Sequence, residues 1–226
     1  MKNKQSEIFE RDEGNQWYLR NQHSYKQFDP RRDPVCVTVE SLVKQGAIIS
    51  EVGCGFPSRL AYLSGLAETV GHGIDPSSDA IATAKKQHPR LALSTGSADK
   101  LPWSSDSIDI LIYGFCLYLV DRIDLFKIAA EGDRVLKTNG IIVVYDFIPP
   151  TPYFNEYKYR KDIHSYKMNY SKLWSWNPQY IEIKRHSFGH GTSEEATVLP
   201  DDRVGVSVLI KQNIDIGYPK NPMAVS

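Results

Sequence analysis

The feature that most constrains this chain is a glycine-rich turn at the end of a short apolar run. The run covers residues 47–52, and the turn that follows reads Gly53-Cys54-Gly55-Phe56-Pro57. Glycine is needed where a chain turns sharply and where a ligand approaches the backbone closely. An apolar run, a turn of this kind and a helical segment together predict the first unit of an α/β sheet.

The alternation of apolar segments after this turn predicts a doubly wound fold. We expect strands at residues 47–52, 70–74, 91–94, 108–113 and 141–147, and helices at residues 60–69, 78–87 and 124–136. Strands this apolar fit a parallel sheet that is covered on both faces. Two later strands, residues 180–188 and 203–212, have no helix between them and must pair antiparallel. The fold class is therefore α/β, a Rossmann-like sheet of seven strands that is mostly parallel, with an antiparallel last strand pair.

Charge and composition exclude several functional classes. Lys plus Arg and Asp plus Glu are equal at 27 residues each, whereas proteins that bind a phosphate backbone carry a basic excess or a basic face. No apolar run is long enough to cross a bilayer, and the charged N-terminus lacks the apolar core of a signal peptide. We therefore expect a cytoplasmic protein with no nucleic-acid and no membrane partner.

The cysteines and histidines do not have the spacing of metal ligands. Cys36, Cys54 and Cys116 form no CxxC pair, and no carboxylate pattern accompanies His186 and His190. Free cysteine in an apolar segment behaves as a small buried hydrophobe. We therefore predict no metal site and no disulfide framework.

A carboxylate follows the glycine turn at the end of the next predicted strand. Asp75 closes that strand, so turn and acid fall at the carboxyl edge of adjacent strands, where α/β sheets bind ligands. A carboxylate at this place can accept hydrogen bonds from both ribose hydroxyls of an adenosine. The pattern predicts an adenosine-type ligand, against the alternative of a tight turn that binds nothing.

The composition of the turn favours a cofactor without a phosphate. A dinucleotide would place its pyrophosphate at the N-terminus of the next helix, but Pro57 follows the second glycine there and has no amide hydrogen to donate. The sequence also has no GxxxxGK[ST] phosphate loop. Two alternatives stay open: a NAD-dependent oxidoreductase of similar fold, and a non-catalytic module that keeps the adenosine pocket.

The chain resembles the class I S-adenosylmethionine-dependent methyltransferases over residues 46–147. The segments that carry the resemblance are residues 51–55 (EVGCG), Asp75, residues 96–103 (GSADKLPW), residues 106–115 and residues 134–141. They resemble, in order, the family's glycine motif, its ribose acid, its segment beside the adenine, its fourth strand and the helix, turn and fifth strand that follow. Residues 12–21 are similar to an N-terminal element of bacterial methyltransferases of surface-sugar clusters, where this element folds over the cofactor.

The resemblance implies S-adenosylmethionine as the cofactor and S-adenosylhomocysteine as the product. The residues implied for cofactor binding are Tyr18, Glu51, Gly53, Cys54, Gly55, Asp75, Pro76, Ser97, Ala98, Asp99, Tyr113 and Gly114. Ser97 stands where the family usually has an acid, so either Ser97 or Asp99 is expected to reach the adenine amine. Trp17 is expected only to pack its helix against the domain.

The resemblance and the composition together divide the chain into four parts. We expect an N-terminal helical cap at residues 1–45 and the S-adenosylmethionine-binding core at residues 46–150. Residues 151–178 are rich in Tyr and Trp and lack a clear period, which suggests an aromatic insertion at the acceptor site. Residues 179–226 would hold the antiparallel edge strands and a tail.

The expected reaction is methyl transfer to a small molecule, such as a sugar or a sugar nucleotide. Displacement at a sulfonium needs mainly alignment and a dry site, and a hydroxyl acceptor also needs a base. The candidate acceptor contacts are His164, Tyr166 and Lys167 in the aromatic insertion, and no catalytic residue is assigned. A homodimer is compatible with this interpretation.

Overall fold

The strands of the main sheet lie close to the predicted segments. The computed structural model describes residues 4–25, 28–190, 199 and 202–221. In them the strands are β1 (Ile49–Val52), β2 (His72–Asp75), β3 (Ala92–Thr95), β4 (Ile108–Gly114), β5 (Leu136–Phe147), β6 (Tyr153–Glu156), β7 (His164–Lys167), β8 (Tyr180–Gly189) and β9 (Arg203–Lys211). Most of the polar loop expected between the last two strands lies outside the described residues.

Seven of these strands form one sheet in the order β3-β2-β1-β4-β5-β9-β8. The pairs among β1 to β5 are parallel, and β9 pairs antiparallel with both β5 and β8. The predicted fold class, a mostly parallel Rossmann-like sheet with an antiparallel ending, is confirmed.

Helices cover both faces of this sheet and also precede it. The helices are α1 (Gln5–Ile8), α2 (Gly14–Tyr25), α3 (Pro34–Val39), α4 (Ser58–Leu66), α5 (Ser78–Gln87), α6 (Leu125–Val135), α7 (Lys172–Ser175) and α8 (Ile214–Gly217), with a π-helical turn, Phe9–Glu13, between α1 and α2. Helix α4 ends before residue 69, the predicted end, because Glu68 adopts a left-handed φ of 55°. In the described part of the chain, no helix has both the length and the apolar character needed to cross a membrane.

Strand β4 shows how the sheet separates two apolar cores. Ile110 and Ile112 join a core with α3, α4 and α5, while Leu111 and Tyr113 join a second core with α6 and α7. Successive side chains of a strand point to opposite faces, so this central strand is buried on both sides, as its unbroken apolar sequence predicts. The carboxyl edge of the sheet is left as the place for a ligand.

The segment expected to be an aromatic insertion contains a two-stranded hairpin. Strands β6 and β7 pair antiparallel, with Tyr153 opposite Lys167. Strand alternation places the buried Ser165 and Lys167 on one face of β7, and His164 and Tyr166 on the other. The three predicted acceptor contacts therefore cannot all face one site.

The N-terminal residues 4–25, called the lid below, are tied to the rest of the chain by side-chain hydrogen bonds to the backbone. The Gln5 amide nitrogen donates to the carbonyl groups of Leu119 and His164, and its oxygen accepts the His164 amide hydrogen at 2.8 Å. The Asp121 carboxylate accepts the amide hydrogens of Gln5 and Ser6. Because Gln5 is buried, these bonds replace water that the backbone groups have lost.

A buried ion-pair network joins α3, α4 and β1 beneath the glycine turn. The Arg59 guanidinium donates to Glu51 Oε1 at 2.6 Å and to both oxygens of Asp33. Asp33 also accepts the amide hydrogens of Val35 and Cys36 and so caps α3. Burial raises the pKa of Glu51 to about 7, although the neighbouring Arg59 charge acts in the opposite direction.

Removing the cation from this network should destabilise the fold. We expect Arg59→Met to lower the free energy of unfolding by about 3–5 kcal/mol, because two buried carboxylates lose their partner. Urea denaturation at constant slope measures this loss. The matched control is Arg31→Met, which breaks an exposed pair with Asp29 and should leave the free energy of unfolding almost unchanged. Equal losses in the two variants would show that the network does not hold the helices to the sheet.

Candidate functional site

A cleft of about 780 Å³, measured with its open mouth, lies between the lid and the carboxyl ends of the parallel strands. The strand side of the cleft is lined by Val52, Gly53, Asp75, Pro76, Gly96, Ser97, Ala98, Gly114, Phe115 and Cys116. The remaining lining residues are Ser6, Phe9, Gly14 and Trp17 of the lid, with Leu119 and Val120.

Asp75 stands at the end of β2, where backbone amides hold both of its oxygens. Oδ2 accepts the Gly55 amide hydrogen and Oδ1 accepts that of Ser77, each at 2.8 Å. Burial raises the pKa of Asp75 to about 6, and the two amide bonds oppose this shift. Each carboxylate oxygen keeps further acceptor capacity, so Asp75 can accept hydrogen bonds from a diol in the cleft.

The glycine turn uses its own amide groups inside the fold. Gly53 and Gly55 adopt positive φ values of 71° and 36°. The amides of Gly53 and Cys54 both donate to the Ile74 carbonyl, at 2.9 and 3.0 Å, and that of Gly55 donates to Asp75. A phosphate-binding turn aims such groups at the anion instead. The geometry therefore argues against a pyrophosphate here, for a reason independent of the missing Pro57 amide.

Glu51 lies behind the cleft rather than in its lining. A Cβ atom on the cleft residue Gly114 would come within 2.5 Å of Glu51 Oε1, so the two are in close contact. The other oxygen, Oε2, is buried and has no hydrogen-bond partner among the residues that the structure describes. A buried acceptor without a donor is costly, and a cofactor ammonium group would supply the missing donor. The residues present therefore fit an amino-acid-bearing cofactor.

Ser97 borders the cleft, while Asp99 stands behind it. The Ser97 hydroxyl donates to Asp99 Oδ1 at 2.6 Å, and the Lys127 ammonium group donates to Asp99 Oδ2 at 2.7 Å. Both Asp99 oxygens thus have donors within the protein. Ala98 lines the cleft beside Ser97, so Ser97, rather than Asp99, is positioned to meet a ligand.

Six of the predicted cofactor residues do not line the cleft: Glu51, Gly55 and Asp99, and also Tyr18, Cys54 and Tyr113. Tyr18 is buried and stacks on Phe56 with ring centroids 5.0 Å apart. Cys54 is buried below the turn, and Tyr113 points into the core with α6, where its ring lies 5.1 Å from that of Trp174. These three side chains support the turn and the strand end from the interior.

The lid reaches the cleft through Gly14 and Trp17. The Asn15 side-chain oxygen accepts the Ser77 hydroxyl hydrogen at 2.8 Å and the Asp79 amide hydrogen at 3.2 Å, which docks the lid on the entrance of α5. A Cβ on Gly14 would lie 2.7 Å from the Phe9 carbonyl oxygen and 3.2 Å from the Ser77 nitrogen, so a side chain at this position would force the backbone around it to shift. Trp17, expected only to pack its helix, borders the cleft beside it.

The three predicted acceptor contacts lie on strand β7, but on two different faces of the hairpin. The His164 ring packs on Phe154, with centroids 5.2 Å apart. Tyr166 lies beneath the Arg122 guanidinium, on the same face of β7 as His164. Lys167 lies on the opposite face, with its Nζ atom 4.1 Å from the centroid of the Phe147 ring.

Sequence reasoning missed Phe115, which follows β4 directly and lines the cleft. Its φ of 58° is rare for a residue with a side chain, and such backbone strain concentrates at functional sites. Its ring packs against those of Tyr118, Tyr145, Phe147 and His190 at centroid distances of 4.9–5.4 Å. We call these five side chains the aromatic cluster. Phe115 could have been predicted as a site residue from its position at the carboxyl end of a central strand.

Comparison with known proteins agrees with this geometry. A family model described as a methyltransferase domain matches residues 50–144. The ubiquinone/menaquinone biosynthesis C-methyltransferase UbiE of Campylobacter jejuni is 31% identical over 123 residues, which are 51% of this chain and 52% of that protein. The chain therefore spans about half the length of the curated relatives that it matches first.

Solved structures extend the similarity of fold over most of the chain. The 1,6-didemethyltoxoflavin-N1-methyltransferase of Burkholderia thailandensis, solved with S-adenosylhomocysteine, superposes with a TM-score of 0.68 at 11% identity, covering 90% of this chain and 87% of that one. An S-adenosylmethionine-dependent methyltransferase from Mesorhizobium loti gives a TM-score of 0.60 at 13% identity, covering 81% and 100%.

Residues 50–144 of this chain thus match a methyltransferase domain, and the fold is that of the S-adenosylmethionine-dependent methyltransferases compared with it. These findings support the predicted family and its cofactor.

Asp75 predicts a pH-dependent affinity for S-adenosylmethionine. Ribose hydroxyls bind the carboxylate better than the acid, so protonation competes with the ligand. The dissociation constant measured by calorimetry should rise as the pH falls from about 7 to about 5, and stay level above about 7. Asp75→Asn should weaken binding about tenfold to a hundredfold at neutral pH and remove the part of this dependence that titrates near pH 6, leaving any part due to Glu51.

The matched control for this experiment is Asp79→Asn, an exposed carboxylate on the first turn of α5. It should keep both the wild-type affinity and its pH dependence. An unchanged pH dependence in Asp75→Asn would remove Asp75 from the binding site.

Proposed function

We propose that this protein transfers the methyl group of S-adenosylmethionine to a small molecule, with a sugar or a sugar nucleotide as the acceptor class. The observation that carries the proposal is the covered cleft in which Asp75 and the glycine turn meet at the carboxyl edge of the sheet. The family model and the fold of the neighbouring structures support the same reaction type.

The lining of the cleft supports an assignment of parts of the cofactor to particular residues. Asp75 would hold the ribose, and Ser97 and Ala98 would border the adenine. Gly53 and Gly114, which have no side chains, leave room for the methionine portion, with Glu51 behind them as a buried acceptor. The cofactor supplies an electrophilic methyl group on a sulfonium.

The work of the protein in such a transfer is alignment and the exclusion of water. The lid side chains Phe9 and Trp17 cover the cleft, and bonds from Gln5 and Asn15 fix the lid at both of its sides. A closed apolar site orients the reactants and strengthens electrostatic interactions within it. The lid therefore contributes to the rate through geometry rather than through a reactive group.

The aromatic cluster supports a small, ring-shaped acceptor. It lies at the ends of β4 and β5 and meets the cleft at its member Phe115, an aromatic residue of the kind on which a sugar ring can stack. The similarity of residues 12–21 to enzymes of surface-sugar clusters points to the same class. The equal numbers of acidic and basic residues favour a small molecule over a nucleic acid.

Nothing in this mechanism requires a second copy of the chain, so a homodimer stays a prediction.

Binding and transfer assays test this proposal separately. Calorimetry should detect binding of S-adenosylmethionine and S-adenosylhomocysteine, and none of NAD. With S-adenosylmethionine labelled in its methyl group, the wild type should label at least one of UDP-glucose, UDP-N-acetylglucosamine and GDP-mannose, and Asp75→Ala should lose this activity.

Each negative result has its own meaning. Binding of NAD in place of S-adenosylmethionine would contradict the cofactor. Cofactor binding without any labelled nucleotide sugar would contradict the sugar acceptor and favour another small molecule or a binding module.

A further inference from the structure

His190 lies one ring away from the cleft, at the end of β8. Its imidazole stacks on Phe115 with centroids 5.4 Å apart and planes at 1°, and it packs against Phe147 at 5.7 Å. The antiparallel pairing of β8 with β9 continues past the strand end, because the His190 amide donates to the Asp202 carbonyl. Strands β8 and β9 thus bring a histidine from far along the chain against Phe115, a residue of the cleft wall.

Two neighbouring charges act on the His190 ring. Burial and the Lys167 ammonium group lower the pKa of His190, while Asp202 acts in the opposite direction. The imidazole is therefore neutral at pH 7 and offers a nitrogen lone pair. No side-chain hydrogen bond to this ring occurs among the described residues, and His190 is exposed.

We propose that His190 is the catalytic base of the acceptor site and that the acceptor reacts through a hydroxyl group. This inference rests on the proposed function. Amines and carboxylates can attack a sulfonium without a base, whereas a hydroxyl must lose its proton during the attack. A neutral histidine against the cleft wall is the group that a hydroxyl acceptor requires.

The proposed step balances with the groups named. The acceptor O–H proton passes to an imidazole nitrogen of His190 while the oxygen forms its bond to the methyl carbon. The bond between that carbon and sulfur breaks, and its electron pair remains on sulfur in neutral S-adenosylhomocysteine. His190 retains an exposed edge, through which the imidazolium returns its proton to water.

Lys167 gives the site a preference in charge. Its side chain is buried, and its ammonium group lies over the Phe147 ring on the side of the aromatic cluster. A fixed positive charge stabilises an oxygen that is losing its proton and repels an ammonium acceptor. Lys167 therefore favours hydroxyl over amine substrates without itself exchanging a proton.

The position of His190 can be tested without knowing the acceptor. A base must reach the acceptor oxygen, which in turn must reach the methyl group, so a ring atom of His190 should lie within about 6 Å of the methyl group. Methyl-¹³C S-adenosylmethionine bound to protein with labelled histidines should give a nuclear Overhauser effect to the His190 ring. The ring of His186, four residues earlier on β8, is the internal control and should give none.

The same samples separate failure of this inference from failure of the proposed function. His190→Gln and the control His186→Gln should bind S-adenosylmethionine within about twofold of the wild type. On a nucleotide sugar labelled by the wild type, His190→Gln should lower kcat by about 100-fold or more and remove the acid limb of the pH profile, while His186→Gln changes neither.

Two outcomes overturn the assignment of His190. One is cofactor binding by calorimetry without an Overhauser effect to the His190 ring. The other is a kcat in His190→Gln close to that of the wild type. Absence of any S-adenosylmethionine binding would instead overturn the proposed function itself.

Discussion

The Asp75 carboxylate is the interaction on which the rest of the site depends. Its two oxygens hold the Gly55 and Ser77 amides, so one side chain fixes both the glycine turn and the entrance of α5. The lid docks on the same entrance through Asn15 and Ser77. The strand end, the turn and the lid therefore meet around the Asp75 carboxylate, which also lines the cleft that they enclose.

The sheet could be predicted because its strands are apolar on both faces. Strands β4 and β5 contain the apolar runs 110–113 and 141–145, a pattern that indicates burial on both faces of a parallel sheet. The hairpin of β6 and β7 escaped prediction because its strands, YFNE and HSYK, are polar and their pairing is set by tertiary contacts. The orientation of the lid was also hidden, since the π-helical turn Phe9–Glu13 alters which face of α2 meets the domain.

The same distinction applies to the site. Gly53, Asp75 and Ser97 lie at strand ends or within two residues of them, so their place at the cleft could be predicted from local sequence. Phe115 and His190 come together only because β9 inserts between β5 and β8 and carries the end of β8 to the end of β4. No local sequence pattern predicts this contact between residues so far apart in the chain. The spacing of His186 and His190 served only to predict that they do not bind a metal.

We expect S-adenosylmethionine to bind between the lid and the strand ends. Hydrogen–deuterium exchange, followed by mass spectrometry with and without the cofactor, tests this position most directly. We predict slower exchange on binding in the lid, in residues 53–55 and in residues 75–77, with β8 unchanged near Tyr180. Saturation with S-adenosylmethionine that leaves exchange in the lid and in both turns unaltered would contradict it.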